Sequence, residues 1–200
     1  MSRLLETLGL LGVAGLGVGA LAAALHTSRR RGARGPFVVL GDSIAVGTAQ
    51  ALERAGVLAL SRARSGEGIG AFEDQLQSRL VGAPQTTIVS IGTNSLGGDV
   101  AELAVRVQAA VRAVRATGRR AIVLGPPPAR DAAAFREDPD VLWRWAVLVD
   151  RIADHVDLWE LLGDPSHPGR YADGLGAPDL LHPSRTGYDR IARAILEGER

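Results

Sequence analysis

Five residues of this chain have the types and surroundings of an acyl-transfer site: Ser43, Gly66, Asn94, Asp179 and His182. Ser43 lies in Gly41-Asp42-Ser43-Ile44-Ala45-Val46-Gly47. Gly66 lies in Ser61-Arg62-Ala63-Arg64-Ser65-Gly66-Glu67-Gly68, and Asn94 in Gly92-Thr93-Asn94-Ser95. The last two share Asp179-Leu180-Leu181-His182-Pro183. A serine hydroxyl is a poor nucleophile until a neutral imidazole takes its proton, and a carboxylate holds the imidazole tautomer and stabilises its cation. Asp179 stands three residues before His182, so one turn of backbone can bring the carboxylate onto the ring. The oxyanion of a tetrahedral intermediate needs fixed donors, for which the Ser43 N–H, the Gly66 N–H and the Asn94 side-chain amide are candidates. A plainer reading of the first stretch is also open: Asp42 or Ser43 only caps the helix that follows.

The chain holds a rival to the last pair, Asp164-Pro165-Ser166-His167-Pro168. His182 is followed by Ser184-Arg185-Thr186-Gly187-Tyr188 and an amphipathic helix that can anchor it, whereas His167 runs on into Gly169-Arg170 and more loop. A catalytic base needs rigid support, so Asp179 and His182 are assigned to the site and His167 to a loop or rim. His155 is expected at a strand start and His26 in a linker.

The elements that must position these residues alternate. Apolar, β-branched runs predict strands over 36–40, 57–60, 86–91, 121–124 and 155–159. Helical spacing of apolar residues predicts helices over 44–55, 69–80, 100–116, 141–153 and 184–196. Trp143 and Trp145 in the fourth are expected to pack, and residues 163–180, dense in Gly, Pro and Asp, to form a loop. Strand alternating with helix implies a parallel five-stranded sheet covered on both faces, an α/β architecture. Parallel strands point the same way, so the four loops gather at the carboxyl edge, where such sheets bind ligands.

Taken together these stretches resemble the SGNH hydrolases, the GDSL esterase/lipase family. Gly41-Asp42-Ser43-Ile44 resembles the first block, with Ile44 where leucine is usual, and Gly66 stands where the second block has its glycine. Gly92-Thr93-Asn94-Ser95 resembles the third block, which usually ends in Asp; Asp179 and His182 followed by Pro183 match the Asp-x-x-His block. The resemblance covers about residues 36–198. It implies a flavodoxin-like three-layer sandwich, Ser43 as nucleophile, His182 as base, and Gly66 and Asn94 in the oxyanion hole. The change at Ser95 spares the asparagine and bears on loop geometry and substrate preference. The expected activity is hydrolysis of an ester (an acetylated carbohydrate, a cell-wall or a lipid ester) through a covalent acyl-enzyme, with no cofactor and no metal. Acyl transfer to another hydroxyl and a non-catalytic flavodoxin-like binding module are the alternatives.

Composition sets the outer bounds. Of 200 residues 46% are hydrophobic and 22% charged, which suits one globular domain with a sizeable core. With no cysteine, thiolate chemistry and Cys-ligated zinc are excluded. Residues 1–35 hold five arginines and one glutamate against a net charge of +1 for the whole, so residues 36–200 are net acidic and offer no basic face for nucleic acid. Residues 7–28 carry no charged side chain, and residues 8–25 are almost wholly apolar, at the lower edge of what spans a bilayer. Three readings compete there: a single membrane anchor, a signal peptide cleaved near Ala20, Ala22 and Ala24, and a buried core helix. Gly9, Gly12, Gly15, Gly17 and Gly19 weaken a helix in water but are tolerated in membrane helices, which favours the anchor. Residues 1–35 are thus an anchor or signal segment plus basic linker, and 36–200 the catalytic domain. The protein is expected to be membrane-anchored, or secreted or periplasmic if the segment is cleaved. Arg29, Arg30, Arg31 and Arg34 favour a cytoplasmic position for the flank they occupy, whereas a secreted or surface enzyme needs the opposite, so the side stays open.

Overall fold

The computed structural model describes residues 36–135, 137–152 and 154–198. The apolar segment expected over residues 8–25, and the whole of the expected anchor or signal segment plus linker over 1–35, lie outside them. Among the described residues no helix is long and apolar enough to cross a membrane.

Strand β1 (Phe37–Gly41) leads into helix α1 (Ser43–Arg54), then β2 (Ala59–Ser61), α2 (Ile69–Leu80) and β3 (Thr86–Ser90). After them come α3 (Val100–Ala116), β4 (Arg120–Leu124), α4 (Val141–Val149) and β5 (His155–Val156). The five strands form one parallel sheet in the order β2-β1-β3-β4-β5. Side chains of a strand alternate between faces, and β1 is apolar on both because both are covered. Val38 and Leu40 join Phe72, Leu76, Val107, Val111, Leu142 and Trp145 of α2, α3 and α4. Phe37 and Val39 join Ile44 and Leu52 of α1 and the apolar residues of two later helices, α5 (Leu158–Leu162) and α6 (Arg185–Gly198). The flavodoxin-like three-layer sandwich with a parallel five-stranded sheet is therefore the fold of residues 36–198.

Four expectations need correction. The run over 155–159 is a two-residue strand followed by a helix, because the Asp157 carboxylate accepts from the N–H groups of Trp159 and Glu160 and starts α5 there. A short apolar run does not itself distinguish strand from helix. The loop expected over 163–180 contains an antiparallel hairpin, β6 (Gly163–Asp164) and β7 (His167–Tyr171), whose turn is closed by Asp164 accepting from the Ser166 N–H. Helix α4 ends at Val149, capped at Asp150, four residues before the expected end. Trp145 is buried as expected, but Trp143 is 54% exposed.

The join between β1 and α1 is the part of the fold that serves the site. Gly41 has φ +127°, and a Cβ built there would lie 1.7 Å from the Ser90 carbonyl oxygen. That oxygen accepts the Asp42 N–H at 2.9 Å, so β1 and β3 stay bonded through the turn. A side chain at residue 41 would break this junction. Gly41→Ala is expected to cost at least about 2 kcal/mol and lower Tm by about 4–8 °C in thermal unfolding, with ester hydrolysis lost in proportion or more.

Candidate active site

Asp42 and Ser43 divide two tasks between them. Asp42 is the N-cap of α1, its Oδ1 accepting the Ile44 N–H at 3.0 Å. Ser43 is the first helical residue, and its hydroxyl is left for another partner. That partner is His182, whose Nε2 lies 2.8 Å from Ser43 Oγ. The cap reading of this stretch is thus met by Asp42, and the Ser43 hydroxyl faces an imidazole.

His182 is held from behind. Its Nδ1 is 2.6 Å from Asp179 Oδ2, while Asp179 Oδ1 accepts the N–H groups of Leu181 (3.0 Å) and His182 (2.9 Å). Leu180 takes φ +57° to close this tight turn, a conformation that a branched residue adopts only under constraint. The constraints are visible on either side. The Tyr171 hydroxyl of β7 donates to the Leu181 carbonyl at 2.9 Å, and the Ala177 N–H donates to the His182 carbonyl at 2.8 Å. Ser184 then caps α6, accepting from the Gly187 N–H and donating to the Gly174 carbonyl. Sequence reasoning found Asp179 and His182 but missed Tyr171, because the hairpin that carries it reads as loop.

Gly66 and Asn94 meet each other through Glu67. Gly66 is exposed with φ +75° in a turn closed by the Glu67 N–H on the Arg64 carbonyl, at 3.2 Å. Asn94, also exposed, donates from Nδ2 to the Glu67 carbonyl at 3.3 Å. An amide nitrogen has two hydrogens, so one N–H of Asn94 is left to donate elsewhere. The Arg64 N–H donates to the Gly41 carbonyl at 2.8 Å, which ties this second loop to the end of β1, next to Ser43. Ser95 has a specific part here: its hydroxyl accepts the Ile69 N–H at 2.9 Å and joins the third loop to the start of α2.

The rival pair has the same internal geometry, with His167 Nδ1 2.9 Å from Asp164 Oδ2. It lies on the β6–β7 hairpin, its imidazole side chain 61% exposed, and the hydrogen bond to Ser43 belongs to His182. A cavity of about 350 Å³ opens beside Asn94, its lining including Leu96, Phe135, Val141 and Leu181 as well as the acidic Glu137 and Asp138. Among the described residues no group of three His, Cys, Asp or Glu side chains is placed to hold a metal ion.

Of the perturbed carboxyl groups, two flank the Ser43–His182 pair. Burial pushes Asp42 up to about 7, against the opposing pull of the Ile44 and Ala45 N–H groups, and its Oδ2 is buried without a hydrogen-bond partner. Desolvation is the largest single influence on Asp179 and raises it, but the hydrogen bonds from His182 and Leu181 together outweigh this and hold it below the usual carboxylate range.

The GDSL-like Lipase/Acylhydrolase family model matches residues 39–190. No curated protein matches the chain in sequence at a significant level. Among solved structures, a GDSL-like lipase from Bacteroides thetaiotaomicron is similar at 17% identity and TM-score 0.69, covering 82% of this chain and 87% of that one. The lipase/acylhydrolase from Enterococcus faecalis is similar at 17% identity and TM-score 0.63, over 82% and 95% of the two chains. An acetyl xylan esterase is similar at 16% identity and TM-score 0.63, over 81% and 98%. At these identities the structural likeness speaks for the fold.

The raised pKa of Asp42 fixes the sign of a stability effect. The folded state keeps this proton up to about pH 7 while the unfolded chain gives it up near 3.8, so the group destabilises progressively as pH rises between those values. Asp42→Asn, which keeps the capping oxygen, is therefore expected to gain more stability over wild type at pH 8 than at pH 5. Thermal melts of both proteins across that range check it.

Proposed function

The chain belongs to the GDSL-like lipase/acylhydrolase family of serine ester hydrolases, and from that premise we propose that Ser43, His182 and Asp179 carry its chemistry. The observation that carries the reading is the continuous run of short hydrogen-bond distances from Ser43 Oγ through the His182 ring to Asp179. Ser43 Oγ attacks the ester carbonyl while its proton passes to His182 Nε2. Asp179 accepts from Nδ1–H, sets the tautomer that leaves Nε2 free, and stabilises the imidazolium. The oxyanion is met by the Ser43 N–H, the Gly66 N–H and the spare N–H of Asn94. Collapse breaks the C–O bond, and His182 returns the proton to the departing alcohol. Water, deprotonated by the same imidazole, then hydrolyses the Ser43 ester and frees the acid.

The substrate proposed is an ester of carbohydrate, cell-wall or lipid type. The cavity beside Asn94 offers an apolar side at Leu96, Phe135, Val141 and Leu181 and a polar side at Thr93, Glu137 and Asp138, and the similarity to an acetyl xylan esterase supports placing acetylated carbohydrate among the first esters tried.

Kinetics on p-nitrophenyl and acetyl-sugar esters test the assignment. Ser43→Ala and His182→Ala should each lower kcat by at least about 10³-fold, and the double variant should cost little more than either, because the two act as one unit. His167→Ala should cost under about tenfold. A dead His167→Ala beside an active His182→Ala would overturn the choice of base.

Attachment to a membrane through residues 8–25 is proposed from the uncharged apolar run before the arginine cluster. A protein beginning at Gly35 should keep full kcat and stay in the supernatant when membranes are pelleted. Unfolding of that shorter chain would contradict the proposal and make the segment part of the core.

A further inference from the structure

Glu67 and Arg79 form a buried ion pair that the chemistry above does not use. Their side chains are 2% and 7% exposed, respectively. Arg79 donates through both terminal nitrogens, to Glu67 Oε2 at 2.6 Å and Oε1 at 2.5 Å, and also to Gln75 Oε1 at 2.8 Å. Arg62, at the other end of the same loop, donates to the carbonyls of Arg79 and Val81. Such a pair roughly breaks even against well-packed apolar residues of the same size, so stability alone does not account for it. A planar fork on a carboxylate does fix geometry.

What the fork fixes is the Glu67 backbone. Glu67 follows Gly66 directly, and its carbonyl is the acceptor that holds Asn94. Its carboxylate is pinned to α2, which begins under the Ser95 hydroxyl. We infer that Glu67 and Arg79 are positioning residues for the oxyanion site, setting the Gly66 N–H and the Asn94 amide at one spacing through the clamped turn 64–68. This rests on the assignment of Gly66 and Asn94 made above. Arg79 also neutralises a buried carboxylate close to where negative charge develops, so the clamp serves the transition state twice: by position and by charge. The bound ground-state ester carries no such charge, so loss of the clamp should fall on kcat rather than KM.

The test uses the full chain and a p-nitrophenyl ester, with kcat counted per site titrated by a fluorophosphonate so that unfolded protein does not contribute. Glu67→Leu combined with Arg79→Met removes the fork without leaving an unpaired buried charge. It should lower kcat at least about tenfold with KM changed less than about threefold. Made in the Asn94→Ala background, the same pair of changes should cost at least about threefold less than in wild type, because both act on one site. Arg79→Lys keeps the charge but not the fork, and should lower kcat about three- to tenfold; it decides the matter if the double variant does not fold. Wild-type kcat per titrated site in the double variant, or in Arg79→Lys, would overturn the inference, as would fully additive losses with Asn94→Ala. If Asn94→Ala itself leaves kcat unchanged, the oxyanion assignment fails and the inference with it. A drop in Asn94→Ala with none in the clamp variants refutes the inference alone.

Discussion

The hydrogen bond between Ser43 and His182 joins residues 139 apart in sequence, and most of the structure described here exists to make that distance 2.8 Å. A parallel sheet delivers every strand's end to one edge, which brings the β1–α1 junction, the loop before α2 and the loop after β3 together. The imidazole is brought to the same edge by another route. Helix α6 packs on α1, where Gly47 leaves room for the Tyr188 ring: a Cβ at residue 47 would lie 2.1 Å from it. Arg54 and Asp189 bridge the same helices at the surface, where an ion pair contributes little. Apolar packing of α6 through Ile191, Ala192 and Ile195 thus carries the load, and the turn before α6 inherits its position.

Charge around the site is managed by burial and pairing. Asp42 is buried one residue before Ser43, and burial keeps it protonated further up the pH scale than an ordinary carboxyl; under the proposed mechanism this spares the oxyanion an opposing charge. Glu67 is buried also, and there a guanidinium fork supplies the compensating charge. Asp179 is half exposed, stays ionised through its hydrogen bonds, and faces the His182 ring. The three acidic side chains thus have three environments: buried and unpaired, buried and paired, and half exposed beside an imidazole.

Much of this was legible in the sequence because the signals were periodic or carried in short motifs. Helices α2 and α3 run over the residues their apolar spacing indicated, each beginning after a residue that can start a helix, Gly68 or Asp99. The candidate site was legible because three short motifs follow β1, β2 and β3 in order and a fourth stands just before the closing helix. The β6–β7 hairpin was not: of His167–Tyr171 only Gly169 is buried, so no apolar alternation marks the strand. Nor was the Glu67–Arg79 clamp. Arg79 sits beside Phe72, Leu76 and Leu80 on α2, but an arginine at the margin of an apolar face reads as solvated until its partner is seen. Trp143 differs the other way: it stands two residues from Trp145, off the buried face of Val141, Leu142, Trp145 and Val149, and is exposed although a tryptophan is expected to pack.

A nucleophilic Ser43 must form a covalent intermediate, and mass spectrometry of the protein after reaction with a fluorophosphonate detects that bond directly. One adduct per chain is predicted, mapping to the peptide that contains Ser43 and absent when His182 is replaced by alanine over the same reaction time. Stoichiometric labelling of a different serine, or hydrolysis of an ester by a protein whose Ser43 is never modified, would contradict it.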